Sequence, residues 1–158
     1  MTMQRVSPSR WPRRLLIAAL AATAMCVAIY LGLYQLRVIA SVWDPPFGRG
    51  SELVLDSRVS QAIRRITIVP DSILGAFAYG CELLFALIGS SERYRRHRWL
   101  VLLFGLNSAG LALAGLALVA LQLFVIHAGC CLCLISAAIS FTISGFAAEE
   151  VRAAVLGR

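Results

Sequence analysis

Residues 99–121 read WLVLLFGLNSAGLALAGLALVAL, twenty-three positions without a single charge. Coiled as an α-helix, such a run measures roughly 35 Å, enough to cross a hydrocarbon core of about 30 Å. Runs of similar character occupy residues 15–36, 72–89 and 130–147, the second broken by one acid, Glu82. In a chain of 158 residues, 59% apolar with a mean hydropathy of +0.79, they leave little polar sequence to solvate a water-soluble surface. The reading is an all-α integral membrane four-helix bundle, one domain over residues 1–158 with those four runs as its spans. SRWPRR ahead of the first run is reminiscent of a secretory signal peptide, but the run outlasts the about 7–15 apolar residues of such a signal and reads as a retained span.

The net charge of +7 would suit nucleic acid, yet its distribution argues for a membrane. All fifteen basic residues are arginines, and they fall between the apolar runs. Arg5, Arg10, Arg13 and Arg14 precede the first, SSERYRRHR joins the second to the third, and the turn between the third and fourth has none. Basic residues stay on the cytoplasmic side, so both termini and the SSERYRRHR link are expected there. Segment 37–71 is then external, although it carries five arginines against four acids. The turn before Cys130 also becomes external, on the face where disulfides persist. This predicts a multi-pass membrane protein with both termini cytoplasmic, with the lipid bilayer and no nucleic acid among its partners.

The external segment divides in two. VWDPPFGRGS has too many Pro and Gly for regular structure, and its Trp43 and Phe47 suit the headgroup layer. SELVLDSRVSQAIRRITIV then sets Leu55, Val59, Ile63 and Ile66 at helical spacing, predicting a short amphipathic helix capped by Ser51 and Glu52. A solvated loop with chance periodicity is the alternative. In the third span, GLNSAGLALAGLAL offers small residues that let helix backbones approach.

Chemistry concentrates at HAGCCLCLISAAISF, residues 127–141, which holds three of the five cysteines. Cys130 and Cys133 form a CxxC pair on one helix face. Gly129 is a plausible break that leaves Cys130 in the first turn, where the helix dipole favours a thiolate. A reactive thiol with a second one turn away is what disulfide exchange needs. Cys131 faces elsewhere and is either a resolving thiol or a packing residue. The residues alone leave two rivals open: small hydrophobes with no redox role, and a metal site from His127, Cys130, Cys131 and Cys133, which consecutive positions make awkward for a tetrahedron. Haem attachment would require His where Leu134 stands. Cys26 and Cys81 fall mid-helix, away from exchange partners. Glu82, deep in its span, is a candidate for proton handling or, as simply, an acid hydrogen-bonded to Asn107 or a carbonyl.

Together, the four spans, the long external segment and HAxCxxCLxS at the start of the last span resemble the vitamin K epoxide reductase family, bacterial branch. PDSILGAFAY (70–79) and SELVLDS (51–57) are similar to two further family motifs. The resemblance implies a membrane thiol–disulfide oxidoreductase that passes two electrons from a thioredoxin-like periplasmic or extracellular partner to a membrane quinone, menaquinone or ubiquinone. It makes Cys133 the inner thiol facing the quinone and Cys130 the outer one meeting the donor, with Asp71 and Tyr79 lining the pocket. The chain departs from the family where most members carry a second, external cysteine pair: Ser51 stands at one position and WDPPFG offers no thiol. The aromatic residue expected after the CxxC is replaced by Ala137 and Ala138. These departures support an alternative, a non-catalytic membrane subunit that keeps the bundle without the relay.

Overall fold

A computed structural model describes residues 10–89 and 93–156. Arg5 and residues 90–92 of the basic link, which entered the topology argument, lie outside the described residues. Seven α-helices run in order: α1 (Trp11–Gln35), α2 (Gly50–Leu55), α3 (Arg58–Thr67), α4 (Asp71–Leu87), α5 (Arg93–Arg96), α6 (Arg98–Leu121) and α7 (Cys131–Leu156). A π-turn, Gln122–Ile126, extends α6. There is no strand among the described residues.

The bundle is built on small residues. Along α1, Ala18, Ala21, Ala24 and Ala28 are buried at three- and four-residue spacing, so α4 lies close along this seam. Toward the external end, a side chain at Gly32 would collide with Ile73. The helices α6 and α7 form the second long pair, and α1 with α7 and α4 with α6 close the ring. The small residues of 105–118 divide their duties. Gly105 and Gly115 admit Val151 and Ala137 of α7, whereas Gly110 meets no neighbour and faces a cavity.

Three helices are long and apolar enough to cross a membrane: α1, α6 with its π-turn, and α7. Taken as one broken element bent by 64°, α3 and α4 make a fourth. The last helix continues past the apolar run that ends at residue 147 and reaches Leu156, and one of the two acids beyond that run is paired inside the protein. Glu150 is 2% exposed and receives Arg93 Nε and Nη2 at 2.6 and 2.8 Å.

That pair belongs to a clasp around the end of α4. The chain leaves α4 through extended Ile88 and Gly89, whose φ of +94° favours glycine. The carbonyls freed there need donors, since a helix leaves its last four unsatisfied. Arg14 supplies Nε to Ala86 O (2.7 Å), Nη1 to Gly89 O (2.7 Å) and Nη2 to Ile88 O (2.9 Å). Arg93 adds Nη1 to Phe85 O and to Ile88 O. Both guanidinium groups are wholly buried.

The amphipathic segment differs from the expected single helix. It breaks at Asp56 and Ser57 into α2 and α3, because Asp56 accepts Tyr34 Oη and Arg37 Nη2 while Ser57 Oγ caps α3 by accepting Ser60 N–H. Nor do Ser51 and Glu52 cap its start. Arg49 is the N-cap, without a side-chain bond, while Ser51 turns to Asp44 and Glu52 to Arg49 and Val42 N. Leu55 and Ile63 face inward as the spacing suggests, but Ile66 is 83% exposed.

Candidate functional site

The end of α6 shapes the approach to the cysteines. The π-turn widens the helix, and His127 then adopts a left-handed conformation (φ 53°) that turns the chain back. Gln122 organises this return from both its backbone and its side chain. Its carbonyl accepts the N–H groups of His127 and Ala128, and its Oε1 accepts Cys130 N–H at 3.1 Å. Gly129 sits against the ring of Phe47, and Gly50 against the carbonyl of Gly129. A side chain at either glycine would collide, so segment 44–51 presses directly on the turn that leads into α7.

Cys130 therefore precedes α7 rather than lying in its first turn. It acts as the helix cap, its Sγ accepting Cys133 N–H at 3.2 Å. Cys130 and Cys133 are joined in a disulfide, their Cα atoms 5.2 Å apart. The two sulfurs have different surroundings. Cys130 is 0% exposed, whereas Cys133 lines a cavity of about 770 Å³. Cys130, expected to be the outer thiol that meets the donor, is covered. Cys131 is free and half-buried, its N–H donating to Asp44 Oδ2 at 3.4 Å.

The cavity lies between α1, α4, α6 and α7, beneath Leu55 and Ile63. Its walls are overwhelmingly aliphatic, and its volume falls in the roughly 300–1,000 Å³ range of small-molecule sites. Asp71 and Tyr79 both lie on the wall with their polar groups engaged. Asp71 Oδ1 accepts Gln35 Nε2 (2.5 Å) and Ser60 Oγ (3.1 Å), which ties α1, α3 and α4 together. Tyr79 Oη donates to Ser136 O (3.1 Å) and shares a hydrogen bond with Ser140 Oγ (2.7 Å), fastening α4 to α7.

Glu82 is one turn deeper and does not reach the cavity wall. It is 0% exposed, and its carboxyl receives the Ser108 hydroxyl and, at 2.5 Å, Asn107 Nδ2. Asn107 itself lines the cavity and also donates to Ala78 O. Cys26 is exposed on the outer face of α1, toward the surroundings of the bundle, and Cys81 is half-buried.

Three residues of the site escaped the sequence reading. Asp44, 4% exposed, accepts Ser51 N–H (3.1 Å), Ser51 Oγ (2.5 Å) and Cys131 N–H through one oxygen. Gln122 and Ser136 line the cavity beside Cys133, and Gln122 Nε2 and Ser136 Oγ are buried without a hydrogen-bond partner among the described residues. A Pro- and Gly-rich loop hides the first, and a π-turn invisible to periodicity hides the second. Ser136 is legible as the last residue of the HAGCCLCLIS motif, though nothing there marks its hydroxyl as unpaired.

Outside the spans, Arg49 Nε donates to Glu52 Oε2 at 2.9 Å. This contact, with Val42 N–H on the other oxygen, holds the Glu52 carboxyl below the usual carboxylate range and raises Arg49.

No curated protein matches the chain. A model of the Vitamin K epoxide reductase family matches residues 15–148, a range that takes in segment 44–51, the cavity and the disulfide. The chain belongs to the vitamin K epoxide reductase family.

Proposed function

We propose that this protein is a four-span thiol–disulfide oxidoreductase of the bacterial inner membrane, carrying electrons from a thioredoxin-like dithiol to a membrane quinone. One observation carries the reading: the Cys130–Cys133 disulfide has one sulfur residue on the wall of a large aliphatic cavity in the bundle. The span count takes α4 as the fourth crossing. The arginine distribution supports cytoplasmic termini, which puts the disulfide on the external side.

The chemistry balances in two halves. A donor thiolate attacks one sulfur of the disulfide and forms a mixed disulfide, the other sulfur leaving as thiolate. The donor's second thiol then displaces the enzyme sulfur, so that the donor leaves oxidised and Cys130 and Cys133 are both reduced. Re-forming the Cys130–Cys133 bond releases two electrons and two protons to menaquinone or ubiquinone, which departs as the hydroquinone. Cys133 faces this acceptor. The protein's contribution is to hold the flat ring against Cys133 in a dry, aliphatic space that excludes water. Asp71 and Tyr79 brace the wall, and Glu82, reached through Asn107, is the proposed proton holder.

Donor access is the distinctive part. Cys130, the proposed point of attack, is covered, so segment 44–51 must lift from Gly129 before a partner protein can reach it. With Ser51 bonded to Asp44 where relatives carry a thiol, no shuttle disulfide exists in this segment, and the partner's dithiol meets the CxxC pair itself.

Purified protein supplied with a small dithiol and a soluble quinone tests the reading. Cys130→Ser and Cys133→Ser should each abolish dithiol-dependent quinone reduction, and Cys81→Ser should leave it intact. Wild-type protein that reduces no quinone would favour the alternative, a non-catalytic subunit that keeps the bundle.

A further inference from the structure

Two polar groups on the cavity wall are left over from the fold. Gln122 is 3% exposed, and its amide orientation is dictated by its neighbour: Cys130 N–H needs an acceptor, so the oxygen faces Cys130. The nitrogen, with two donor hydrogens, is left buried with no acceptor among the described residues. On α7, one turn past Cys133, Ser136 Oγ is also buried without a partner. Ser140 bonds back to the carbonyl four residues earlier, as such residues commonly do, whereas the Ser136 hydroxyl makes no bond of that kind. Leaving a buried donor unpaired costs more than a typical hydrogen bond returns. Two such donors on the wall that also carries Cys133, otherwise nearly all aliphatic, describe a place for a ligand with acceptor oxygens.

We propose that the Gln122 amide and the Ser136 hydroxyl receive the carbonyl oxygens of the electron acceptor and thereby set its position against Cys133. This rests on the quinone reading above and deepens it. Asp71 Oδ1 and Tyr79 Oη are spent on the fold, whereas Gln122 and Ser136 have donors to spare. The shared residue also links the two halves of the reaction. Gln122 holds Cys130 N–H with its oxygen and the acceptor with its nitrogen, so the acceptor is registered against the backbone that carries the disulfide. Gln122 and Ser136 are positioning residues here, with neither passing electrons.

Decylubiquinone, whose fully substituted ring cannot add free thiols, is the probe. Its binding to the oxidised full-length protein is read from the concentration dependence of the thermal shift it causes. Ser136→Ala removes a hydroxyl that makes no bond in the fold, and should weaken binding about tenfold, as one lost hydrogen bond does. Gln122→Glu, assayed above the pH at which its buried carboxyl ionises, keeps an oxygen for Cys130 N–H and replaces the donor with an acceptor. It should weaken decylubiquinone binding about tenfold or more while weakening its hydroquinone, which can donate, about threefold or less. In Ser136→Ala, reduction of the Cys130–Cys133 disulfide by dithiothreitol without quinone should stay within about twofold of wild type. Quinone affinity unchanged in both variants overturns the proposal and leaves the oxidoreductase reading standing. So does an equal loss for quinone and hydroquinone in Gln122→Glu, which would mark a structural role. Wild-type protein that binds decylubiquinone in neither redox form overturns the quinone reading itself.

Discussion

Asp44 and Cys131 stand 87 positions apart in the chain, yet the Asp44 carboxylate accepts the Cys131 N–H at 3.4 Å. The same oxygen accepts both the N–H and the hydroxyl of Ser51. One buried carboxylate thus binds segment 44–51 to the first turn of α7, beside the Cys130–Cys133 disulfide.

Asp44→Ala should loosen that cover. The three donors lose their acceptor, a cost of about 1–3 kcal/mol in stability. With the segment freer to lift, dithiothreitol should reduce the Cys130–Cys133 disulfide several-fold faster, read by alkylating freed thiols over time. A reduction rate equal to wild type would mean that segment 44–51 does not limit access.

Two neighbouring acids should behave differently. Glu150→Ala leaves the wholly buried Arg93 guanidinium without its carboxylate and should destabilise the protein by about 3–5 kcal/mol. Glu149→Ala breaks only the contact with Arg13 at 2.7 Å, in which the Glu149 side chain is 63% exposed, and should cost at most about 1 kcal/mol. Thermal unfolding in one detergent separates the two; similar losses would place the stability of the clasp elsewhere.

Glu82→Gln isolates the proton from the carboxyl shape. The amide keeps an oxygen for one of its two donors, Ser108 or Asn107, so folding should survive. If Glu82 holds a proton for the reaction, turnover should fall about tenfold or more while decylubiquinone affinity stays within about twofold. Wild-type turnover in this variant would reduce Glu82 to a packing role.

Acid should weaken the external segment through Glu52. Its folded pKa lies below the unfolded value of about 4.3, so its contribution is complete above that value and disappears as pH falls through the folded pKa. The melting-temperature difference between wild type and Glu52→Gln should therefore be present at neutral pH and vanish in acid. A difference that persists unchanged at pH about 3 would show that the charge on Glu52 is irrelevant.

Much of this architecture is legible in the amino-acid sequence. Length and apolarity alone mark the runs that become α1, α6 and α7, because in lipid every backbone group must be paired within a helix. The CxxC spacing likewise points to a bond between Cys130 and Cys133. What escapes is what depends on distant partners. Glu149 and Glu150 look like the end of a span, since nothing nearby in sequence announces that Arg93 will neutralise one of them. The seating of segment 44–51 depends on Phe47 and Gly50 meeting Gly129, a contact between segments with no shared periodicity. The donors of Gln122 are hidden for the same reason, as a π-turn comes from packing rather than propensity.

The clasp of Arg14 and Arg93 also bears on the lipid around the protein. At 17 residues, α4 measures roughly 26 Å, short of an average hydrocarbon layer of about 30 Å, whereas α1 with 25 residues measures about 38 Å. Wholly buried and bonded to the carbonyls at the end of α4 and to Glu150, the two cations are satisfied inside the protein. What the bilayer meets is the shorter apolar wall of α4, and it has to thin there. A thinner host membrane would relieve that deformation, so acyl-chain length should tune the stability of this fold from outside it.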